Sequence, residues 1–175
     1  VGTFGDFGCF SFAAIKNLTT GDGGMLLGRT RTKIERARTF AWSGISQSTW
    51  ERAKKGALKW RYNVEGIGWK YQMNDIAAAI GLVQFQKLKA NNFKRKKITE
   101  NYNRDFKNIS WINTSVVKPY AQSSYHNYVI KVPPKVRDRL SQYLGEHGIS
   151  TSVHYVPTHH YKLYEKFSSN LPVTE

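Results

Sequence analysis

The sequence predicts an α/β chain, and three observations carry that prediction. Glycines punctuate short apolar β segments over residues 1–28. A long helical periodicity runs over residues 75–107. A strand–helix–strand pattern then fills residues 125–155.

Taken in order, Gly2, Gly5 and Gly8 break up the start, and Cys9-Phe10-Ser11-Phe12 reads as a buried strand. Gly21-Asp22-Gly23-Gly24 is a turn signal, followed by a short Met25–Leu27 strand. Residues 30–42 read as a helix with Ile34, Ala37, Arg38 and Ala41 near one face and Thr30 or Thr32 as its cap. Residues 43–66, rich in Ser, Gly and Trp, show no clear period and read as a long loop. Over 75–107, Ile76, Ala79, Ile80 and Val83 recur at spacings of three and four, and Ile98, Tyr102 and Phe106 continue at four. Asn74 or Asp75 suits the cap, Asn91-Asn92 suggests a bend or break, and the stretch is long enough to join two lobes. Residues 125–132 alternate like a strand that Pro133-Pro134 ends. Val136, Leu140, Tyr143 and Leu144 mark a helix over 135–147 with Gly148 just past its end, and Thr151–Tyr155 reads as another strand.

Composition narrows the function. The 175 residues are 40% hydrophobic, so a folded chain is expected. No apolar run approaches the roughly 20 residues a membrane helix needs, and no leader pattern opens the chain. A single cysteine, Cys9, excludes a disulfide framework or cysteine-rich metal site within these residues, and a reducing cytoplasm is the expected setting. The net charge of +15 favours anionic partners, or a solvated basic surface; its densest run, Lys94-Arg95-Lys96-Lys97, lies inside the helical pattern and reads as one wet helix face. Both ends read as cuts, so an internal segment of a longer polypeptide is expected.

The chemistry concentrates in residues 8–24. Lys16 follows an apolar Phe-Ser-Phe segment and precedes a glycine-rich turn. Apolar surroundings disfavour an ammonium ion, and a neutral amine is the nucleophile that a carbonyl cofactor requires. Ser11 and nearby backbone N–H groups suit a phosphate. On these grounds alone a surface lysine and a structural serine remain the commoner readings.

Resemblance adds specificity. Gly8 to Gly24, with Met25, is similar to the lysine motif of the DegT/DnrJ/EryC1/StrS family of sugar-nucleotide aminotransferases, G-C-F-S-F-x-x-x-K-N-x-T-T-G-E-G-G-M, with Asp22 in place of the usual glutamate. Gly68-Trp69-Lys70-Tyr71-Gln72-Met73-Asn74-Asp75 and the helix after it, Tyr125-His126-Asn127-Tyr128-Val129-Ile130, and Gly148 to His159 resemble three further family segments in the same order. Four ordered motifs are far more specific than one.

What the resemblance implies is an enzyme fragment with the fold of type I pyridoxal-phosphate (PLP) transferases: residues 1–90 as the end of the large, cofactor-binding domain, and 91–175 as a linking helix and an incomplete small α/β domain. Lys16 would hold pyridoxal 5′-phosphate as a Schiff base and move the proton in catalysis. Ser11 would bind the cofactor phosphate. Lys70 or Gln72 would reach the phosphate of the partner subunit in a homodimer; both replace the asparagine found in relatives. His154, Tyr155 and His159 would lie near the sugar-nucleotide pocket. The implied reaction passes an amino group from L-glutamate to a nucleotide-linked keto-sugar, in polysaccharide or antibiotic-sugar synthesis, with no nucleic-acid or membrane partner. The acid and the aromatic that such chemistry sets around the cofactor ring would lie upstream of residue 1. A PLP-dependent sugar dehydratase and a non-enzymatic basic binding module are the alternatives; Lys16 and the lone Cys9 argue against the dehydratase branches, and charge alone supports the binder. Three histidines near residue 154 invite a zinc reading, but no cysteine lies nearby and the spacing is not a helical pair, so no metal is expected.

Overall fold

The computed structural model describes residues 2–167 and 170–174. The chain divides into two compact units, Val1–Asp105 with Val117–Tyr128, and Phe106–Val116 with Val129–Glu175. The expected division at 90/91 falls inside a continuous helix.

In the first unit, β1 (Phe7–Ser11) pairs antiparallel with β2 (Gly24–Gly28), Cys9 opposite Leu26 and Ser11 opposite Gly24. Helix α1 (Arg31–Ala41) starts at Thr30, whose side-chain oxygen accepts from the Lys33 amide at 3.3 Å. The expected loop over 43–66 is more ordered than its composition suggests. It holds a short helix, α2 (Thr49–Ala53), and a 3₁₀ turn at Gly56–Leu58. The signal for α2 is the spacing Ser48-x-x-Glu51: Ser48 Oγ accepts from the Glu51 amide at 3.2 Å, and Glu51 accepts from the Ser48 amide at 2.7 Å. That backbone hydrogen bond, with the serine hydroxyl behind it, holds the Glu51 carboxyl below its ordinary range. The segment returns to the end of α1, where Ser43 N–H donates to Trp69 O and Tyr71 N–H to Ala41 O, both at 2.9 Å.

Helix α3 (Asp75–Phe106) runs unbroken for 32 residues. Asn74 caps it, Oδ1 accepting from the Ala77 amide at 2.9 Å. The break expected at Asn91-Asn92 is absent, because Asn92 directs its amide oxygen to a side chain outside the helix and leaves the backbone ladder intact. The basic run follows the helix surface: Lys96 pairs with Glu100 at 3.6 Å, Lys97 lies over the Phe93 ring, and Arg95 donates to the His126 carbonyl at 3.2 Å.

In the second unit, β3 (Asn113–Thr114) pairs antiparallel with β4 (Ile130–Lys131), and α4 (Pro134–Glu146) follows at once. Pro134 occupies the start of α4, where its missing N–H removes no helical bond. Gly148, with φ +75°, lets the chain turn back so that Ile149 N–H donates to Leu144 O at 2.8 Å.

Three strand expectations are corrected. The strand expected over 125–132 shrinks to Ile130–Lys131, because its partner Asn113–Thr114 is only two residues long; Tyr125, at φ +50°, is itself not extended. Residues 151–155 form no strand, since no described neighbour offers them a ladder. The expected Cys9-Phe10-Ser11-Phe12 strand runs instead over Phe7–Ser11 and is not buried: Phe10 is 40% exposed, and Cys9 and Ser11 are exposed. No apolar side chain is buried among the described residues, and Trp50, Ile67 and Tyr120 are each more than four-fifths exposed. So much apolar surface requires cover in water. No described helix is long and apolar enough to cross a membrane.

Candidate functional site

The connection from β1 to β2, residues 12–23, carries Lys16. Its backbone closes on itself. Phe12 N–H donates to Gly23 O at 2.9 Å, Thr20 N–H to Phe12 O at 3.0 Å, and Lys16 N–H to Ala13 O at 2.9 Å. Two threonines reinforce it. Thr19 Oγ1 donates to Phe12 O at 3.1 Å and accepts from the Gly21 amide at 2.9 Å, while Thr20 Oγ1 donates to Asp22 O. Asp22 Oδ1 accepts from the Gly23 amide at 2.7 Å, a role that the shorter acidic side chain fills without reaching outward. Thr20, at 7% exposure, is the only buried polar side chain among the described residues. It lies against α3 at Gly81, where an added Cβ would come within 3.0 Å of Thr20 Cγ2. Gly23 has φ +99°, a conformation that side chains with a Cβ rarely take.

This frame presents Lys16 at a tight turn, half-buried, with no side-chain hydrogen bond or ion pair among the described residues. Ser11 stands at the mouth of the same connection. Its Oγ accepts from the Ala13 amide at 3.3 Å, and its hydroxyl proton has no described acceptor. The fold thus brings Lys16 and Ser11 into one structural element, an amine and a hydroxyl donor both open to a ligand. An aldehyde-bearing phosphate fits that donor set.

Lys70 and Gln72 lie on the extended segment that pairs with the end of α1, and both are exposed. Lys70 forms an isolated bridge with Trp42, and its ammonium sits 3.3 Å from the centre of the Trp42 ring. Trp69 and Tyr71 stack beside it at 5.9 Å. In the second unit, His154 and Tyr155 are exposed and His159 half-buried. His154 Nε2 meets Ser152 Oγ at 2.8 Å and its ring lies 4.6 Å from Tyr155, while His159 and His160 pack edge to face at 4.2 Å. Among the described residues no cluster of His, Cys, Asp or Glu could hold a metal ion.

One residue that the motif reading passed over is Asn17. Its amide nitrogen donates to Asn92 Oδ1 at 2.9 Å and to the Ser124 carbonyl at 2.8 Å, and its oxygen faces His126 Nδ1 at 3.0 Å. Asn17, Asn92 and His126 are each half-buried. No local pattern announces contacts that span 75 to 109 positions.

Residues 1–175 match the model of the DegT/DnrJ/EryC1/StrS aminotransferase family, and the chain belongs to that family. It is 36% identical over 176 residues to dTDP-4-dehydro-2,3,6-trideoxy-D-glucose 4-aminotransferase of Saccharopolyspora spinosa, a match that takes in 99% of this chain and 46% of that protein. Among solved structures it is similar to Helicobacter pylori PseC, an aminotransferase involved in pseudoaminic acid biosynthesis (TM-score 0.85, 28% identity, 99% of this chain, 46% of that one). It is also similar to the Streptococcus pneumoniae sugar aminotransferase Spr1654, solved in PMP and PLP forms, with a TM-score of 0.84, 28% identity, and 97% of this chain against 44% of that one for the PMP form. The chain spans less than half the length of the curated relatives it matches. Its fold is part of the α/β fold of these PLP-type aminotransferases, and PLP is the family's cofactor.

Proposed function

We propose that the protein carrying these residues transfers an amino group from an amino acid, L-glutamate, to a keto-sugar linked to a nucleotide, with Lys16 as the residue that holds the cofactor. The observation that carries this reading is Lys16 itself: a half-buried amine without a described partner, on a turn whose backbone is fixed by hydrogen bonds on both sides. Bound pyridoxal 5′-phosphate would supply the carbonyl carbon and the electron sink that aminotransfer needs.

The chain's own groups account for the remaining work. Lys16 Nζ would hold the cofactor covalently and, as a free amine, would serve as the base for the proton on the donor Cα. Ser11 donates its hydroxyl proton to a phosphate oxygen. Lys70, by its charge, and Gln72, by its amide, serve a phosphate across a homodimer interface. His154, Tyr155 and His159 contribute donors and ring faces to the sugar nucleotide. The exposed apolar surface of the first unit is consistent with a chain that is covered on assembly. A cytoplasmic location suits a nucleotide-sugar substrate.

The test is chemical. Borohydride reduction of the full-length protein loaded with PLP, followed by peptide mapping, should find the cofactor fixed to Lys16. Incubation with nucleotide keto-sugars and L-glutamate should release 2-oxoglutarate. Fixation at a different lysine, or none, would remove the basis of the reading.

A further inference from the structure

Asn17 follows the cofactor lysine directly, and every polar atom of its side chain is engaged. Its orientation is set by chemistry. The Ser124 carbonyl can only accept, so the atom 2.8 Å from it must be the amide nitrogen. The second N–H of that nitrogen goes to Asn92 Oδ1 at 2.9 Å. The remaining atom, Oδ1, can only accept, so His126 must carry a proton on Nδ1 to meet it at 3.0 Å. One side chain therefore ties the Lys16 turn to the middle of α3 and to the 124–126 segment. Arg95, one helical turn beyond Asn92, holds the same segment by donating to the His126 carbonyl at 3.2 Å.

We infer that Asn17, with its oxygen held by His126, is a positioning residue that fixes the backbone from which Lys16 extends. The inference rests on the proposed role of Lys16. A lysine side chain has four free torsions, so the aim of its amine depends on how firmly its Cα is held. The Ala13 bond restrains Lys16 from the N-terminal side and Thr19 restrains the strand end of the turn. Asn17 supplies the restraint on the C-terminal side, through a side-chain hydrogen bond to α3.

Two measurements test this without substrate. In the full-length protein free of cofactor, the ¹⁵N shifts of His126 should report a proton on Nδ1; a bare Nδ1 would overturn the network. With PLP bound, borohydride should fix nearly all cofactor to Lys16 in the wild type and less than about half in Asn17→Ala, as loss of anchoring hydrogen bonds loosens the turn. Turnover should fall about 10- to 100-fold while KM for both substrates stays within about threefold, the pattern of a misaimed group rather than lost binding. If Asn17→Ala proves insoluble, the His126 pair decides. His126→Leu should lower kcat about 10-fold, and His126→Asn, whose amide N–H can stand where Nδ1–H stood, should recover most of that loss. Equal activity of those two variants, or wild-type fixation and kcat in Asn17→Ala, would refute the inference. Absence of fixation at Lys16 in the wild type would instead refute the proposed function.

Discussion

Residues 12–24 and residues 151–159 both lie within segments that resemble family motifs, yet they are built in opposite ways. The first is a closed structure. Backbone bonds join Phe12 to Gly23 and Thr20 to Phe12, two threonine hydroxyls and the Asp22 carboxylate tie the turn internally, and Thr20 is packed from solvent. The second is an exposed run without strand pairing, held by local contacts such as Ser152 to His154 and Ser141 to Thr151. A motif rich in Thr, Asp and Gly carries its own hydrogen-bond partners, so the order of its groups is set within a dozen residues. A motif rich in His and Tyr presents rings and donors that need an outside partner to fix them. Under the proposed function, the contrast is between a preorganised turn that carries Lys16 and an exposed segment that takes its order from what it meets.

Four substitutions in the full-length protein would break or sharpen that contrast. The largest effect is expected from Lys16→Ala, which should lower turnover by about a thousandfold or more while leaving the denaturation midpoint near wild type, because the turn is held by backbone and threonine bonds rather than by the lysine. Gly23→Ala should cost about 2 kcal/mol in chemical denaturation, since the residue sits at φ +99° and the new Cβ would come 3.2 Å from Met73 Cε. Thr20→Val keeps the shape but removes the donor to Asp22 O, and about 1–2 kcal/mol should be lost in the same measurement. His154→Ala should change stability by no more than about 0.5 kcal/mol, because the side chain is exposed, and should raise KM for the nucleotide sugar several-fold with the cofactor still fixed to Lys16. A loss of stability in His154→Ala comparable to that in Thr20→Val would erase the distinction between the two regions.

Tyr128 provides a pH test at the edge of the Asn17 network. Its hydroxyl donates to Asn103 Oδ1 at 2.9 Å, and its ring packs on Tyr102 at 4.9 Å. Burial first, and then the neighbouring Tyr102, raise its phenol above the ordinary tyrosine value. A raised folded value means that the neutral form is favoured in the fold. Its contribution is therefore complete below the unfolded value and disappears as pH rises through the folded one. Ultraviolet titration should show a phenol ionising above the ordinary tyrosine value, and Tyr128→Phe should remove that step.

Much of the chain was legible because its signals are local. Of the two candidates at each helix start, Thr30 rather than Thr32 caps α1 and Asn74 rather than Asp75 caps α3; Gly148 ends α4, and the glycine-rich turn joins β1 to β2. Ser48-x-x-Glu51 was an equally local signal for α2, obscured by the surrounding Gly, Ser and Trp. Two strand expectations fail because strand-like side chains do not by themselves supply a pairing partner. Residues 125–129 and 151–155 have the side chains of strands, but strand formation needs a neighbour, and Tyr125 is itself not extended.

Local chemistry alone dictated the helices, the caps and the turn that bears Lys16, because each depends on partners a few residues apart. Burial and the Asn17 network depended on the assembled chain. Which faces are covered, and whether Asn17 meets Asn92 and His126, follows from bringing together residues 75 and 109 positions apart. No periodicity in the sequence encodes such a meeting; packing against α3 does.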